Sequence, residues 1–443
     1  MDDRAGTGGG AAGELDDFSV RGSPRRGLVA ATFGFFIGYG GLVIYGPAAD
    51  QFEQALGLSG FLLGILVGAP NLIGSLLRIP FGAWTDDVGA KKPFLLLLGL
   101  SIAGIVGLAA VLQVVGFDEL AMRHYPVLLL FGALSGCGIA AFSVGVAQTS
   151  YWYPVDKQGT VLAVYVGLGN SSPGIFTILL PIIVAALGLT TTYLVWAVFL
   201  TIGTIVYALL AVDPYYFQLR SQGFDRPDAK RRGRQLGQEF FPSENGWASI
   251  RTAAGSTPTW MMVVLYFISL GAGFLALTVW FPTFWTSYHG LDSRTAGVIT
   301  AVGFTLLATL IRIPGGFVSD RAGGELTAIA SFITIGAAGL LVMVAAEFVP
   351  ALVGMLILAV GVGVANAAVT QMIPMYVPEA VGGASGLAGG LGAFGGFVVP
   401  PLLGLVVDFQ GVAGYATGFG AFALFGLLGS VISGIMYVQI ERR

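Results

Sequence analysis

Two arginines lie inside long apolar stretches, at matching places in two related segments of the sequence. The segments read LLRIPFGAWTDDVGAKK at 76–92 and LIRIPGGFVSDRAGGEL at 310–326. Arg78 and Arg312 occupy the same place in the two segments, and each precedes an aspartate by eight residues. At about 1.5 Å per helical residue, each guanidinium lies roughly 12 Å inside the helix end that the aspartate marks.

A charge at this depth needs a partner, because an arginine near the centre of a bilayer costs at least about 2.5–3.5 kcal/mol. No Asp or Glu lies within an apolar stretch to supply the opposite charge. We therefore expect the missing charge to be a bound anion, and a guanidinium fits planar oxyanions such as carboxylate or nitrate. A carboxylate brought near by folding, or helix carbonyls alone, are the two other partners that the sequence leaves open.

The composition indicates that the solvent of this chain is a bilayer. Of the 443 residues, 55% are hydrophobic and 10% charged, with a mean hydropathy of +0.83. Soluble domains carry about 25% charged residues, so the composition excludes a soluble enzyme, a nucleic-acid binder and a disordered protein. The single cysteine, Cys137, excludes an intrachain disulfide and a cysteine-based metal site. No nucleophile–base pair lies at depth, so we expect neither an enzyme nor a cofactor or metal.

Stretches nearly free of charge are long enough to cross a membrane as helices, which needs about 20 residues each. They are 27–49, 60–85, 93–117, 126–155, 158–212, 252–291, 295–319, 326–346, 348–378, 380–407 and 409–440. The fifth stretch has room for two helices with a break near Gly188. The sequence therefore predicts an all-α membrane protein of twelve transmembrane helices, here called spans 1 to 12.

The basic residues predict the orientation, since they favour the cytoplasmic side. Seventeen of the 21 lysines and arginines fall on the side of both chain ends, and only Arg123 and Arg294 on the other. Both termini are therefore expected in the cytoplasm. The predicted divisions are a cytoplasmic tail 1–26, a half 27–212, a cytoplasmic central loop 213–257, a half 258–440 and a cytoplasmic end 441–443.

The halves are related by an internal repeat, seen in 76–92 with 310–326 and again in 148–169 with 371–392. Such repeats are typical of transporters that bind substrate near the midplane between two halves. The G-x-x-x-D-x-x-G-x-K/R pattern at Gly82–Lys92 resembles the signature of the major facilitator superfamily. The resemblance implies two pseudo-symmetric six-helix halves.

Spans 5 and 11 are rich in glycine, with GLGNSSPG at 167–174 and GGASGLAGGLGAFGGFVVPP at 382–401. Glycines at this spacing let helices pack closely, and they can also form a narrow slot for a small substrate. Asn170 is polar at mid-depth and fits either an anion oxygen or an interhelical hydrogen bond. Together with the two arginine motifs, these segments resemble the nitrate/nitrite porter family.

That resemblance implies a nitrate held between two arginines and sandwiched by aromatic rings. The substrate-binding residues it implies are Arg78, Arg312, Asn170, Tyr266, Phe142, Tyr39, Gly167, Gly169, Gly390 and Gly392. This chain departs from the family at Leu270, where phenylalanine is frequent, and at Ser171–Pro173, where a small residue and glycine are usual.

The loops after spans 2 and 8 are expected to act in gating, through Asp86, Asp320 and Arg321. Two unpaired cations in an unoccupied site repel each other, so nitrate/nitrite exchange is the expected mode of transport. A carrier of another small anion, such as a short carboxylate in an oxalate/formate-like exchanger, and a nitrate/proton symporter are the alternatives. A membrane anion sensor without turnover is a further alternative, and the sequence disfavours it because no signalling domain accompanies the spans.

The expected partners are nitrate, nitrite and the lipid bilayer, with no nucleic acid, and the chain is expected to be a monomer. The preference for arginine over lysine suggests a GC-rich genome, and the acidic N-terminal tail fits a halophile such as a halophilic archaeon. We therefore expect the inner, cytoplasmic membrane of a prokaryote.

Overall fold

The structure, a computed structural model, describes residues 19–154, 157–242 and 246–441. Most of the predicted tail 1–26 and the last two residues of 441–443 lie outside these ranges. The first helix begins at Pro24, where Ser23 accepts a hydrogen bond from the backbone N–H of Arg26 and caps the helix. A Ser at this position followed by Pro is a common helix start.

Eleven stretches of the described residues are helical and apolar enough to cross a bilayer. Ten of them are Pro24–Leu56, Gly60–Val88, Lys91–Val115, Met122–Trp152, Val164–Leu187, Leu189–Leu210, Thr257–Tyr288, Ser293–Ala322, Gly324–Val344 and Phe348–Tyr376. The eleventh, Pro378–Gln439, has 62 residues, about three times the length needed to cross. It breaks at Gly411 into spans 11 (381–410) and 12 (414–439), which confirms the predicted twelve.

Glycines in the left-handed region of φ separate consecutive spans. Gly188, at φ +77°, ends span 5 at the predicted break, and Gly411, at φ +63°, ends span 11. Only glycine adopts such angles without steric cost, so a helix stops there and the chain turns back.

The segment predicted as a polar central loop, 213–257, contains three short helices in its described part. They are Tyr215–Ser221, Arg226–Gln235 and Gly246–Ala254. The last of these packs against the start of span 11, where the backbone N–H of Gly383 donates to Ser249 Oγ at 3.0 Å. With twelve spans, this segment lies on the same side of the membrane as both chain ends. We call this the terminal side and the opposite one the distal side.

The two halves meet most closely between spans 2 and 11. Gly60 lies against Gly404, and Gly64 against the backbone of Pro400 and Pro401. At the distal end, the Asp408 carboxylate of span 11 accepts from the backbone N–H groups of Gly60 at 2.5 Å and Phe61 at 2.9 Å. A carboxylate at a helix N-terminus is favourable. Backbone contact and helix capping therefore join the halves on the distal side.

The symmetry-related contact lies between spans 5 and 8. A Cβ added at Gly297 would lie 2.7 Å from Thr177 O, and one at Gly174 would lie 2.9 Å from Leu306 Cγ. The two interfaces repeat the same arrangement, as expected for pseudo-symmetric halves. Between them they enclose the middle of the molecule.

Candidate functional site

A small cavity lies at the centre of the molecule, between the halves. Its lining residues are Tyr39, Arg78, Phe142, Asn170, Tyr266, Leu270 and Arg312. The cavity measures about 10 Å³, which is room for roughly one water molecule. The structure thus brings six of the ten predicted substrate-binding residues around one space, from spans 1, 2, 4, 5, 7 and 8.

Arg78 is 2% exposed and is held by two neighbours. Its Nη1 donates to the backbone carbonyl of Gly389 on span 11 at 3.2 Å, and its Cζ lies 4.9 Å from the centre of the Phe142 ring. Its Nε has no hydrogen-bond partner within the described ranges. A helix carbonyl is one of the partners that the sequence left open for Arg78. The Gly389 carbonyl is such a partner, but it accepts a hydrogen bond from only one nitrogen of the guanidinium.

Arg312 is half-buried and makes no hydrogen bond or ion pair with the residues that the structure describes. No carboxylate of the described residues lies beside either arginine, so the alternative of a salt bridge is not observed. Tyr39 lies within electrostatic reach of both guanidinium groups. The cavity is consequently a place of uncompensated positive charge, which attracts an anion.

Aromatic rings support one wall of the cavity. Tyr39 stacks on Phe35 with ring centres 4.8 Å apart, and the edge of Phe35 meets Phe142 at 5.7 Å. The sequence reasoning did not identify Phe35. Its position four residues before Tyr39 on one helix was the available signal, because side chains at this spacing meet.

Asn170 is 3% exposed, and its amide makes no hydrogen bond to the described residues. The interhelical hydrogen bond that the sequence left open is thus not observed. A primary amide offers two N–H donors and a carbonyl acceptor, and Asn170 lines the same cavity as the two arginines. Asn170 thus lines the cavity with its amide free of hydrogen bonds to the described residues.

The four predicted glycines are not among the residues that line the cavity. Gly169 backs onto the Phe35 ring, a Cβ on Gly390 would lie 2.6 Å from Ile79 Cγ1, and one on Gly392 would lie 2.6 Å from Tyr266 Cβ. A Cβ on Gly167 would meet nothing within 4 Å. Close packing, the first of the two roles considered for these glycines, is what the structure shows at three of them. They set the positions of Phe35 and Tyr266.

The predicted gating residues lie at the terminal ends of spans 2 and 8. Asp86 Oδ1 accepts from the Tyr151 hydroxyl at 2.5 Å, and Asp320 Oδ1 accepts from Gln371 Nε2 at 2.6 Å. Gln371 also accepts from Ser319. Arg321 is exposed. Tyr151 and Gln371 were not predicted as partners, although Gln371 stands in the second repeat segment.

No group of three or more His, Cys, Asp or Glu side chains that could hold a metal ion occurs in 19–154, 157–242 and 246–441. The cavity itself contains only arginine as a charged residue type. The chemistry available there is hydrogen bonding and charge attraction toward a small anion.

Residues 31–400 match the Major Facilitator Superfamily. The chain is 28% identical over 397 residues to the "Nitrite extrusion protein" of Bacillus subtilis, with 90% of each chain covered. It is 28% identical over 414 residues to the "Probable nitrate/nitrite antiporter NarK1" of Thermus thermophilus, covering 87% of this chain and 86% of the relative. Among solved structures, it resembles the partially occluded inward-open xylose transporter XylE of E. coli. The TM-score is 0.68 at 13% identity, over 94% of this chain and 99% of that one.

Proposed function

Since the chain belongs to the major facilitator superfamily, we propose that it exchanges nitrate for nitrite across the cell membrane by alternating access. The observation that carries the proposal is the pair of arginines, Arg78 and Arg312, that line one central cavity. No carboxylate is among the described residues that line this cavity. The names of the relatives from Bacillus subtilis and Thermus thermophilus support the choice of anion.

The anion is clamped between the two guanidinium groups. Arg78 comes from span 2 in one half and Arg312 from span 8 in the other, so an anion that binds both joins the halves. Guanidinium groups donate paired, coplanar N–H groups that fit the planar oxygens of nitrate. Asn170 and the Tyr266 hydroxyl supply further donors, and the Phe142 and Tyr39 rings cover the anion.

Exchange follows from the charge of the site. Without an anion the two arginines repel each other, and this repulsion opposes closure of the halves around them. Either nitrate or nitrite relieves the repulsion, so the loaded carrier changes state more readily than the unloaded one. None of the cavity-lining residues is Asp, Glu or His, which favours exchange over proton symport.

The alternative substrate is a short carboxylate, whose two oxygens also fit a guanidinium. Leu270 favours it to some extent, since this cavity-lining position carries an aliphatic side chain where the porter family frequently has phenylalanine. A ring there would cover a flat anion such as nitrate more closely.

We also propose that the terminal side is cytoplasmic and that the carrier acts as a monomer. The divisions are the tail 1–26, the halves 27–212 and 258–440, the connection 213–257 and the end 441–443. The excess of lysine and arginine on the terminal side supports this orientation.

The test is counterflow in liposomes that contain the purified protein and are loaded with nitrite. We expect labelled nitrate outside to enter, at a rate that depends on internal nitrite and is unchanged when an uncoupler removes any pH gradient. Loading with formate or oxalate should give no uptake of nitrate. Uptake of labelled formate or oxalate without uptake of nitrate would overturn the proposal, and loss of nitrate uptake with the uncoupler would replace exchange by proton coupling.

A further inference from the structure

The hydroxyl of the cavity residue Tyr266 is engaged outside the cavity, by a residue on span 10. Tyr266 Oη and Thr370 Oγ1 lie 2.7 Å apart. We propose that Thr370 is a positioning residue that competes with the anion for the Tyr266 proton and thereby sets the affinity of the site. This inference rests on the proposed function.

The direction of the hydrogen bond is fixed by a second contact. Thr370 Oγ1 lies 2.6 Å from the backbone carbonyl of Asn366, one helical turn earlier. A carbonyl only accepts, and a threonine hydroxyl has one proton, so Thr370 donates to Asn366. The proton between Tyr266 and Thr370 must then come from Tyr266.

An anion also only accepts hydrogen bonds. Tyr266 has a single hydroxyl proton, which in this structure points to span 10 and not into the cavity. To donate to a bound anion, Tyr266 has to break its hydrogen bond to Thr370. The binding free energy gained is therefore the difference between the Tyr266–anion hydrogen bond and the Tyr266–Thr370 hydrogen bond, which is less than that of one additional hydrogen bond.

The same stretch of span 10 is tied to span 7 again and to the end of span 8. Ser269 Oγ donates to Asn366 Oδ1 at 3.2 Å. Gln371, the residue next to Thr370, donates to Asp320 at 2.6 Å. When the Tyr266–Thr370 hydrogen bond breaks, the change therefore occurs next to Gln371, which donates to Asp320, the proposed gating residue.

The experiment compares nitrate exchange by the wild type, Thr370→Val, Thr370→Ser, Tyr266→Phe and the double variant Tyr266→Phe/Thr370→Val in nitrite-loaded liposomes. Valine keeps the shape of threonine and removes the acceptor. Thr370 itself is exposed, whereas Tyr266 is 5% exposed, so the change frees a buried hydroxyl for the anion. We expect Thr370→Val to lower KM for nitrate about two- to tenfold, the size of one net hydrogen bond. Thr370→Ser keeps the hydroxyl and should keep KM close to the wild-type value.

Thr334→Val is the matched control, because Thr334 on span 9 makes the same bond to the carbonyl four residues before it, at 2.9 Å to Ala330. It should leave KM unchanged. In the Tyr266→Phe background the Thr370→Val change should have no further effect on KM. This coupling separates competition for a proton from a general effect on folding, which would lower kcat in either background.

An unchanged or higher KM in Thr370→Val, with normal wild-type nitrate exchange, would overturn the inference. So would an equal fall in KM in the Tyr266→Phe background. A wild type that does not exchange nitrate would instead overturn the proposed function, and the wild-type measurement alone distinguishes the two failures.

Discussion

Replacing Arg78 with lysine should lower kcat/KM for nitrate exchange by about 10- to 100-fold, the cost of losing roughly 1.5–3 kcal/mol of charged hydrogen bonding. Lysine keeps the charge but loses the planar paired donors. It also loses the contact of the guanidinium with Phe142 and the bond to Gly389, which fix the side chain in place. The measurement is the initial rate of labelled nitrate uptake into nitrite-loaded liposomes over a range of nitrate concentrations.

Arg312→Lys should show a smaller loss than Arg78→Lys. Arg312 is half-buried and lacks a hydrogen-bond partner within the described residues, so lysine loses only its contacts with the anion. Arg294→Lys is the control, since Arg294 is exposed at the start of span 8 on the distal side. Full exchange by both single variants would show that the arginines do not clamp the anion.

Adding one methyl group at Gly64 should slow transport strongly while leaving the site able to bind nitrate. A Cβ at this position would lie 2.5 Å from Pro401 Cα and would overlap the Pro400 carbonyl. These are backbone atoms, which cannot rotate away as a side chain can. Spans 2 and 11 could then no longer meet on the distal side. We expect Gly64→Ala to lower the exchange rate at least about tenfold, with nitrate binding to the purified protein retained in calorimetric titration, because overpacking of this kind typically costs 1–3 kcal/mol.

Gly99→Ala is the matched control for Gly64→Ala. Gly99 lies in the middle of span 3, is exposed, and has no atom within 4 Å of an added Cβ. Both variants replace a helical glycine by a better helix former, so the change in helix propensity is the same. If Gly64→Ala exchanged nitrate as fast as Gly99→Ala, closure of spans 2 and 11 would not be a step of transport.

The number of spans and the break at Gly188 could be predicted from the sequence because both depend on local properties. Span length follows from bilayer thickness, and a turn after a helix follows from glycine at positive φ. The internal repeat then placed Arg78 and Arg312 at equal depth in opposite halves. Fold class and membership of the superfamily were therefore predictable, whereas the partners of the site residues were not.

The hydrogen bond from Arg78 to the Gly389 carbonyl illustrates why the partners of the site residues could not be predicted. Residues Ala388–Gly392 form a short π-helical turn in span 11. Such a turn disturbs the regular pairing of backbone groups and is frequent at functional sites. The neighbouring glycines predicted close packing or a slot, but no residue type predicts which carbonyl of the turn receives a donor from another half. That depends on how spans 2 and 11 cross.

The partners of Tyr266 and Asp320 were missed for a different reason. Thr370 and Gln371 are adjacent on span 10, yet one contacts span 7 and the other span 8. Neither is charged, so neither was found by looking for charged residues inside the apolar stretches. Only the packing of three helices reveals that consecutive residues contact Tyr266 and Asp320.

For the proposed anion exchange, the size of the central cavity has a consequence for which anions would be selected. A space for about one water cannot admit an ion together with its hydration shell, so an anion must shed its water to enter. The free energy of removing that shell rises steeply with charge and falls with ionic size. Doubly charged anions such as sulfate are thus penalised before they touch either arginine. We expect a singly charged anion to lose less hydration free energy on entry, so that dehydration would act as a first filter and the proposed guanidinium clamp as a second.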